Sequence, residues 1–292
     1  MRVTKSCRQA YRFRPNLSLI TTVLCLVIPL PAKALEVQVS PKTPQQGDTI
    51  SVLVTPDVPG TPPSISVDRQ DYPVFPVQGK YRALIPTSPL NSPGKMTLQV
   101  KENNQISNLG VWLKSRVFPL QRITLSGEAG RPATQLELDR VTAFKKLVTP
   151  QKYWQGSFKR PNAGRISSGF GVRRYYNGVF ANDYYHKGVD YAGGYGSPVV
   201  APAAGKIRLV GREKDGFHVH GNIVGIDHGQ GVLSVFMHLQ DINVAEGEMV
   251  KAGQQIGTIG STGASTGPHL HWGLYVDGVA VDPVPWRFGV IE

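Results

Sequence analysis

The sequence predicts an all-β protein in which two β domains are joined by one short helix. Three observations predict it. Apolar residues recur in short bursts that alternate with polar ones, the period of half-buried strands. Turn residues punctuate the bursts, with twelve prolines between Pro41 and Pro119 and a glycine-rich second half. One stretch alone, between Thr134 and Pro150, carries the three-to-four-residue spacing of a helix. A chain of 292 residues has room for about two domains.

Residues 1–34 read as an export signal. Arg2, Lys5, Arg8, Arg12 and Arg14 make a basic start, Leu17–Leu30 is an apolar run, and Ala32-Lys33-Ala34 has the small-x-small form of a cleavage site. The run is shorter than the roughly 20 residues of a spanning helix, which favours cleavage after Ala34 over an uncleaved anchor. The expected mature chain is exported, periplasmic or extracellular, with no transmembrane segment. The leader holds six of the 32 Lys and Arg and none of the 20 Asp and Glu, so its removal takes the formal charge from +12 to +6. A moderately basic exported protein suits the anionic polymers of a cell envelope, and equally plain solubility. Nucleic acid is not implied, because the positive residues are scattered instead of gathered on a stripe with aromatics. Both cysteines, Cys7 and Cys25, lie in the leader, which leaves a mature chain suited to an oxidising compartment. Val23-Leu24 before Cys25 lacks the small residue of a lipid-anchor signal.

Residues 35–118 alternate in Leu35–Val39, Thr49–Val54, Ser64–Val67, Lys80–Ile85, Lys95–Val100 and Gly110–Lys114, the spacing of an antiparallel, immunoglobulin-like β-sandwich. Neither a histidine nor a carboxylate cluster falls there, so its expected job is binding, positioning or shielding. Residues 119–152 read as a linker. Within it, Leu136, Leu138, Val141, Phe144, Leu147 and Val148 outline one helix that starts near Thr134 and is stopped by Pro150. Residues 153–292 form the second domain, with short β runs at Ile207–Val210, Ile223–Ile226, Ser234–Met237, Gln255–Ile259 and His271–Val276. Gly196–Ile207 and Val244–Ile256 look alike, which suggests a duplicated hairpin and resembles the halves of a biotinyl or lipoyl carrier domain. Such a carrier needs a modifiable lysine at its turn, and Gly260–Thr266 has none.

The chemistry gathers in Ser265–Trp272. His269 and His271 stand two apart in strand-forming sequence, so both imidazoles face one side about 7 Å apart. His186 and Asp190 supply a candidate upstream pair. On a straight strand they would be about 13 Å apart, too far to share an ion, so a bend at Gly188 is expected. A His, Asp, His ligand set leaves one tetrahedral position open, the arrangement of catalytic zinc. His218 and His220 have the same spacing as His269 and His271, but they follow the turn Lys214-Asp215-Gly216 and read as loop residues that can line a groove. His228 reads as structural. His238, on or just after a strand, gains weight because the chain has no H-E-x-x-H and thus no glutamate beside the ligands for acid–base work.

His186-x-x-x-Asp190, Met237-His238-Leu239 and the run Gly263, Thr266, Gly267, Pro268, His269, Leu270, His271 and Trp272 together resemble peptidase family M23, the lysostaphin-like and LytM-like endopeptidases. The resemblance covers roughly Ser168–Pro283. It implies a small antiparallel β fold with a groove, one zinc ion, and cleavage of peptide cross-links in bacterial peptidoglycan. By position, His186, Asp190 and His271 would be the zinc ligands, and His238 and His269 the catalytic histidines. One of the two would take a proton from water while the other stabilises the oxyanion or protonates the leaving amine; their roles are interchangeable on sequence. A non-catalytic activator of other wall hydrolases is the alternative, and the complete ligand set argues against it. The tyrosines at 175, 176, 184 and 185 are expected to place one or two rings in the groove. Since the histidines must be neutral to work, activity is expected to fall below about pH 6. A pH–rate profile that stays flat to pH 4.5 would contradict this.

Overall fold

In the computed structural model, which describes residues 35–57, 60–124 and 130–289, the N-terminal strands turn apolar side chains into a shared core. The expected leader, 1–34, lies outside the described residues. Glu36–Ser40, Thr49–Thr55, Lys80–Pro86 and Val74–Val77 form one antiparallel sheet in that order. Gln70–Tyr72, Ser64–Val67, Gly94–Glu102 and Gln105–Leu113 form a second. Ile50, Val52 and Val54 from the first meet Ile65, Val67, Leu98 and Val100 from the second in one core. Every second residue of each strand points inward, which is why the alternation was legible in the sequence.

The C-terminal half is a ten-stranded sheet. Its spine runs through Ile166–Ser168, Val189–Ala192, His269–Val276, Val232–Ile242, Asn222–Gly229, Gly205–Gly211 and Met249–Val250, with antiparallel neighbours throughout. The two look-alike segments pair with each other, Val200 against Gln255 and Gly205 against Val250. Trp154, Trp272, Trp286 and Phe236 are buried at the centre of this half's core. Among the described residues the chain is therefore all-β apart from the helix Gln135–Lys145 and short 3₁₀ turns.

That helix starts where the sequence places it, with the Thr134 hydroxyl accepting from the Glu137 N–H at 3.1 Å. It stops at Lys145, short of Pro150. Its inward face also differs from the expected one. Glu137, Val141 and Phe144 are buried, whereas Leu136, Leu138 and Val148 stay exposed. The expected linker also contains a strand, Leu120–Ile123, which pairs in parallel with Arg173–Tyr176, itself paired with Val179–Phe180. Four residues with one apolar residue at each end give no local signal; the partner lies some fifty positions on in the sequence.

Polar contacts join the sandwich to the large sheet. Buried Arg82 donates to Gln230 Oε1 at 2.5 Å and lies over the Trp154 ring; Arg116 pairs with Asp282 at 2.8 Å; and Trp286 Nε1 donates to the Thr49 hydroxyl at 3.2 Å. Among the described residues, no helix is long and apolar enough to cross a membrane.

His228 is buried inside the sheet, its ring spanning the Ala204 carbonyl and the Ser234 hydroxyl, each at 2.9 Å. Burial pushes its pKa down to about 4 from an ordinary 6.5. The unfolded chain then binds the extra proton first, so stability falls as pH drops from 6.5 to 4, by about 3 kcal/mol for this group. Thermal melts of the metal-free protein between pH 7 and pH 4 should show a falling midpoint, and His228→Gln should make the fall shallower, with His238 and His271, also pushed down by burial, accounting for the rest. A midpoint independent of pH over that window would contradict the assignment.

Candidate active site

Strand pairing builds the site. Val189–Ala192 lies beside His269–Val276 in a register that sets Asp190 opposite His271 and Ala192 opposite His269. Val232–Ile242 flanks the same strand from the other side, with Met237 opposite His271. His186 enters from the segment before Val189, and the chain bends at Gly188 as the four-residue spacing requires. A Cβ at Gly188 would stand 2.4 Å from the Trp272 carbonyl and 2.7 Å from His271 Nε2, so only glycine lets the segment pass this close.

The bend brings three donor atoms together. His186 Nε2 lies 2.9 Å from Asp190 Oδ1 and 3.0 Å from His271 Nδ1, and Asp190 Oδ1 lies 2.9 Å from His271 Nδ1. His186 Nδ1 sits 2.7 Å from the Gly169 carbonyl. That carbonyl can only accept, so Nδ1 carries the proton and the neutral ring turns a lone pair from Nε2 toward the other two residues. Burial alone would raise the Asp190 carboxyl, but a proton shared with the adjacent imidazoles of His186 and His271, in the place an ion would take, holds it well below the usual carboxylate range. Burial pushes His271 down to about 4 even against the pull of Asp190. Lone pairs converging on one point beside a carboxylate are a cation's donor set. Among the described residues this is the one cluster with metal-ligand geometry. Tetrahedral zinc, with ligand distances near 2 Å, spaces its donors about 3.3 Å apart, so the residues fit such an ion with a slight opening.

His238 and His269 lean over this cluster, their ring centroids 4.7 Å apart. His238 Nδ1 donates to the Thr262 carbonyl and His269 Nδ1 to the Gly267 carbonyl, each at 2.8 Å. An imidazole bonded this way through Nδ1 has its lone pair, when neutral, on Nε2. His269 Nε2 stands 4.0 Å from Asp190 Oδ1. Burial, followed by the closeness of two more protonatable rings, His269 and His271, pushes His238 down to about 3. Burial thus favours the neutral form of His238 and of His271. His238 also has φ +63°, a left-handed backbone rare for a residue with a side chain. Its N–H donates to the His220 carbonyl and its own carbonyl accepts from Gly260, which holds the turned conformation.

The five groups open into a cleft of 780 Å³. Tyr176 and Tyr184 line it, whereas Tyr175 packs on Phe180 and Tyr185 donates to the Ala280 carbonyl inside the core. His220 lines the cleft too; His218 does not, and His228 lies in the core as its sequence context suggested. Arg174, 3.6 Å from Asp190 Oδ2, and Glu137 were missed in the sequence. Glu137, wholly buried, accepts from the backbone N–H groups of His218, Val219 and His220 and from the His220 ring at 2.6–3.2 Å. Its bonds outweigh the burial that would raise it and keep it ionised. This carboxylate fixes the turn whose His220 carbonyl holds His238. A glutamate three residues after Thr134 reads locally as helix capping, so nothing in the sequence pointed across to residue 220.

A profile of Peptidase family M23 matches residues 184–283, the segment that supplies all five groups. The chain carries a family M23 domain. The DD-carboxypeptidase/endopeptidase Mpg of Neisseria meningitidis serogroup B is 45% identical over 120 residues, 41% of this chain and 26% of that protein. The lysostaphin of Staphylococcus simulans is 38% identical over 138 residues, 46% of this chain and 25% of that protein. A solved structure from Pseudomonas aeruginosa, assigned to peptidase M23, superposes with a TM-score of 0.61 at 26% identity, covering 84% of this chain and 96% of that one. The chain spans about a quarter of the length of these two curated relatives. In this M23 domain Gly188→Ala is expected to push His271 off the cluster and weaken divalent-ion affinity at least tenfold, by roughly 1.4 kcal/mol or more. Calorimetric titration with a divalent metal checks this; unchanged affinity in a folded variant would refute the steric reading.

Proposed function

We propose that the chain is an exported zinc endopeptidase that hydrolyses peptide cross-links of bacterial peptidoglycan. The observation that carries the reading is the convergence of His186 Nε2, Asp190 Oδ1 and His271 Nδ1 within 3.0 Å of one another, beneath two further histidines. The names of the relatives, a DD-carboxypeptidase/endopeptidase and lysostaphin, support the substrate class. The basic and apolar leader supports export.

His186, Asp190 and His271 would hold the ion. Zinc bound there supplies Lewis acidity toward water and toward the scissile carbonyl. His269, with Nδ1 bonded to Gly267 and Nε2 on the Asp190 side, is placed to take a proton from the attacking water. His238, held neutral by burial and fixed through Thr262 and His220, is placed to hydrogen-bond the developing oxyanion or pass a proton to the leaving amine. Arg174, 3.6 Å from Asp190 Oδ2, helps keep that ligand ionised; burial opposes its own charge, and Tyr184, Tyr176 and Asp190 outweigh that and hold it protonated. The cleft walls carry Tyr176 and Tyr184, whose rings offer apolar faces and hydroxyls to a peptide.

Purified protein lacking residues 1–34, incubated with defined cross-linked muropeptides, should release the uncross-linked products. Chelator should abolish release and added zinc restore it. His238→Ala and His269→Ala should each lower kcat by about 10²–10⁴ with zinc retained, whereas His271→Ala should lose the metal. Cleavage that survives complete metal removal, or its absence from zinc-loaded protein, would overturn the proposal.

A further inference from the structure

We propose that Lys145 and Lys187 form an anion-recognising subsite in the cleft and take a free carboxylate of the peptide being cut. The inference rests on the peptidase reading above and adds a substrate feature to it.

The charge lining the cleft is lopsided. Arg131, Lys145, Arg174 and Lys187 face it against one carboxylate, Asp190, among the described residues. Asp190 is engaged by His186, His271 and Arg174. Arg174 is likewise engaged, by Gln121, Tyr176 and Ser168. Lys145 and Lys187 make no ion pair among the described residues. Each ammonium instead lies over an aromatic face, Lys145 Nζ 4.8 Å from the Tyr275 centroid and Lys187 Nζ 5.6 Å from that of Tyr184. A ring face steadies a cation without neutralising it. Both lysines are half-buried, and burial disfavours the Lys145 ammonium. Two partly desolvated cations lining one cleft leave charge that an incoming carboxylate offsets.

The strand fixes where that carboxylate falls. Tyr275 shares the inward face of His269–Val276 with His269 and His271, since alternate side chains of a strand point the same way. It lies four residues beyond His271, about 13 Å along the strand. An extended peptide with its scissile bond at the cluster reaches the lysines within about four residues. Lys145 comes from the last turn of the helix, so this element, outside the matched 184–283 segment, contributes to substrate choice.

The test uses two synthetic peptidoglycan-type peptides that differ only in a free or amidated carboxylate within four residues of the scissile bond, and zinc-loaded protein lacking residues 1–34. The free carboxylate should be preferred roughly tenfold in kcat/KM, mainly through KM. Added salt should narrow the preference. Lys145→Met and Lys187→Met should each lose most of it, and Lys145→Arg should retain it. Thermal melts establish that each variant is folded, and Lys187→Met decides alone if Lys145→Met is not. No preference in the parent, or an undiminished preference in the folded Met variants, overturns the subsite and leaves the peptidase reading standing. Failure to cleave either peptide overturns that reading itself.

Discussion

Three electron-rich atoms held within 3.0 Å of one another are the constraint on which the rest of the molecule depends. Nothing local favours that arrangement, because two imidazole nitrogens and a carboxylate oxygen gain by separating into water unless a cation or a shared proton joins them. The protein opposes the separation with a sheet. Asp190 and His271 are cross-strand neighbours whose separation follows from backbone pairing, and His186 is brought to them by a bend that only Gly188 permits. The site is therefore set by main-chain hydrogen bonds within a core sealed by Trp272, Phe236 and Trp154, and rigid backbone replaces the flexible side-chain reach that would blur the geometry.

The outer layer of contacts repeats the same logic with backbone carbonyls. Gly169, Thr262 and Gly267 each accept from one imidazole Nδ1 and so leave Nε2 of His186, His238 and His269 turned toward the cleft. His238 pays for its position with a left-handed backbone that the His220 and Gly260 bonds stabilise. Glu137 extends the scheme to the helix. A buried carboxylate with four donors is worth keeping only where it fixes something, and what it fixes is the turn carrying His220.

Most of the fold was legible because alternation is a one-strand property: the inward positions of Thr49–Thr55 or Gly94–Glu102 are apolar whichever strand lies beside them. Leu120–Ile123 escaped because its evidence is the distant partner Arg173–Tyr176. The helix was found through Thr134, yet its buried face was misjudged because Glu137 is inside and Leu136 and Leu138 are outside. Hydrophobic periodicity assumes that carboxylates face water, and this one is instead satisfied by backbone N–H groups. The tyrosines show the same limit: adjacent positions 184 and 185 look alike in sequence, but one lines the cleft and the other is in the core.

By itself the sequence determined the strand alternation, the helix start at Thr134 and the need for a bend at Gly188, because each is written in residue type and short spacing, whereas the set of four histidines and one aspartate came from the resemblance to family M23. Tertiary structure alone decided which atoms of those residues face one another, which ring nitrogens meet backbone carbonyls, that Glu137 braces the turn at His220, and that Lys145 and Lys187 line one cleft. Those facts depend on pairing between segments far apart in the chain, where register and burial, both set by the whole sheet, replace local preference.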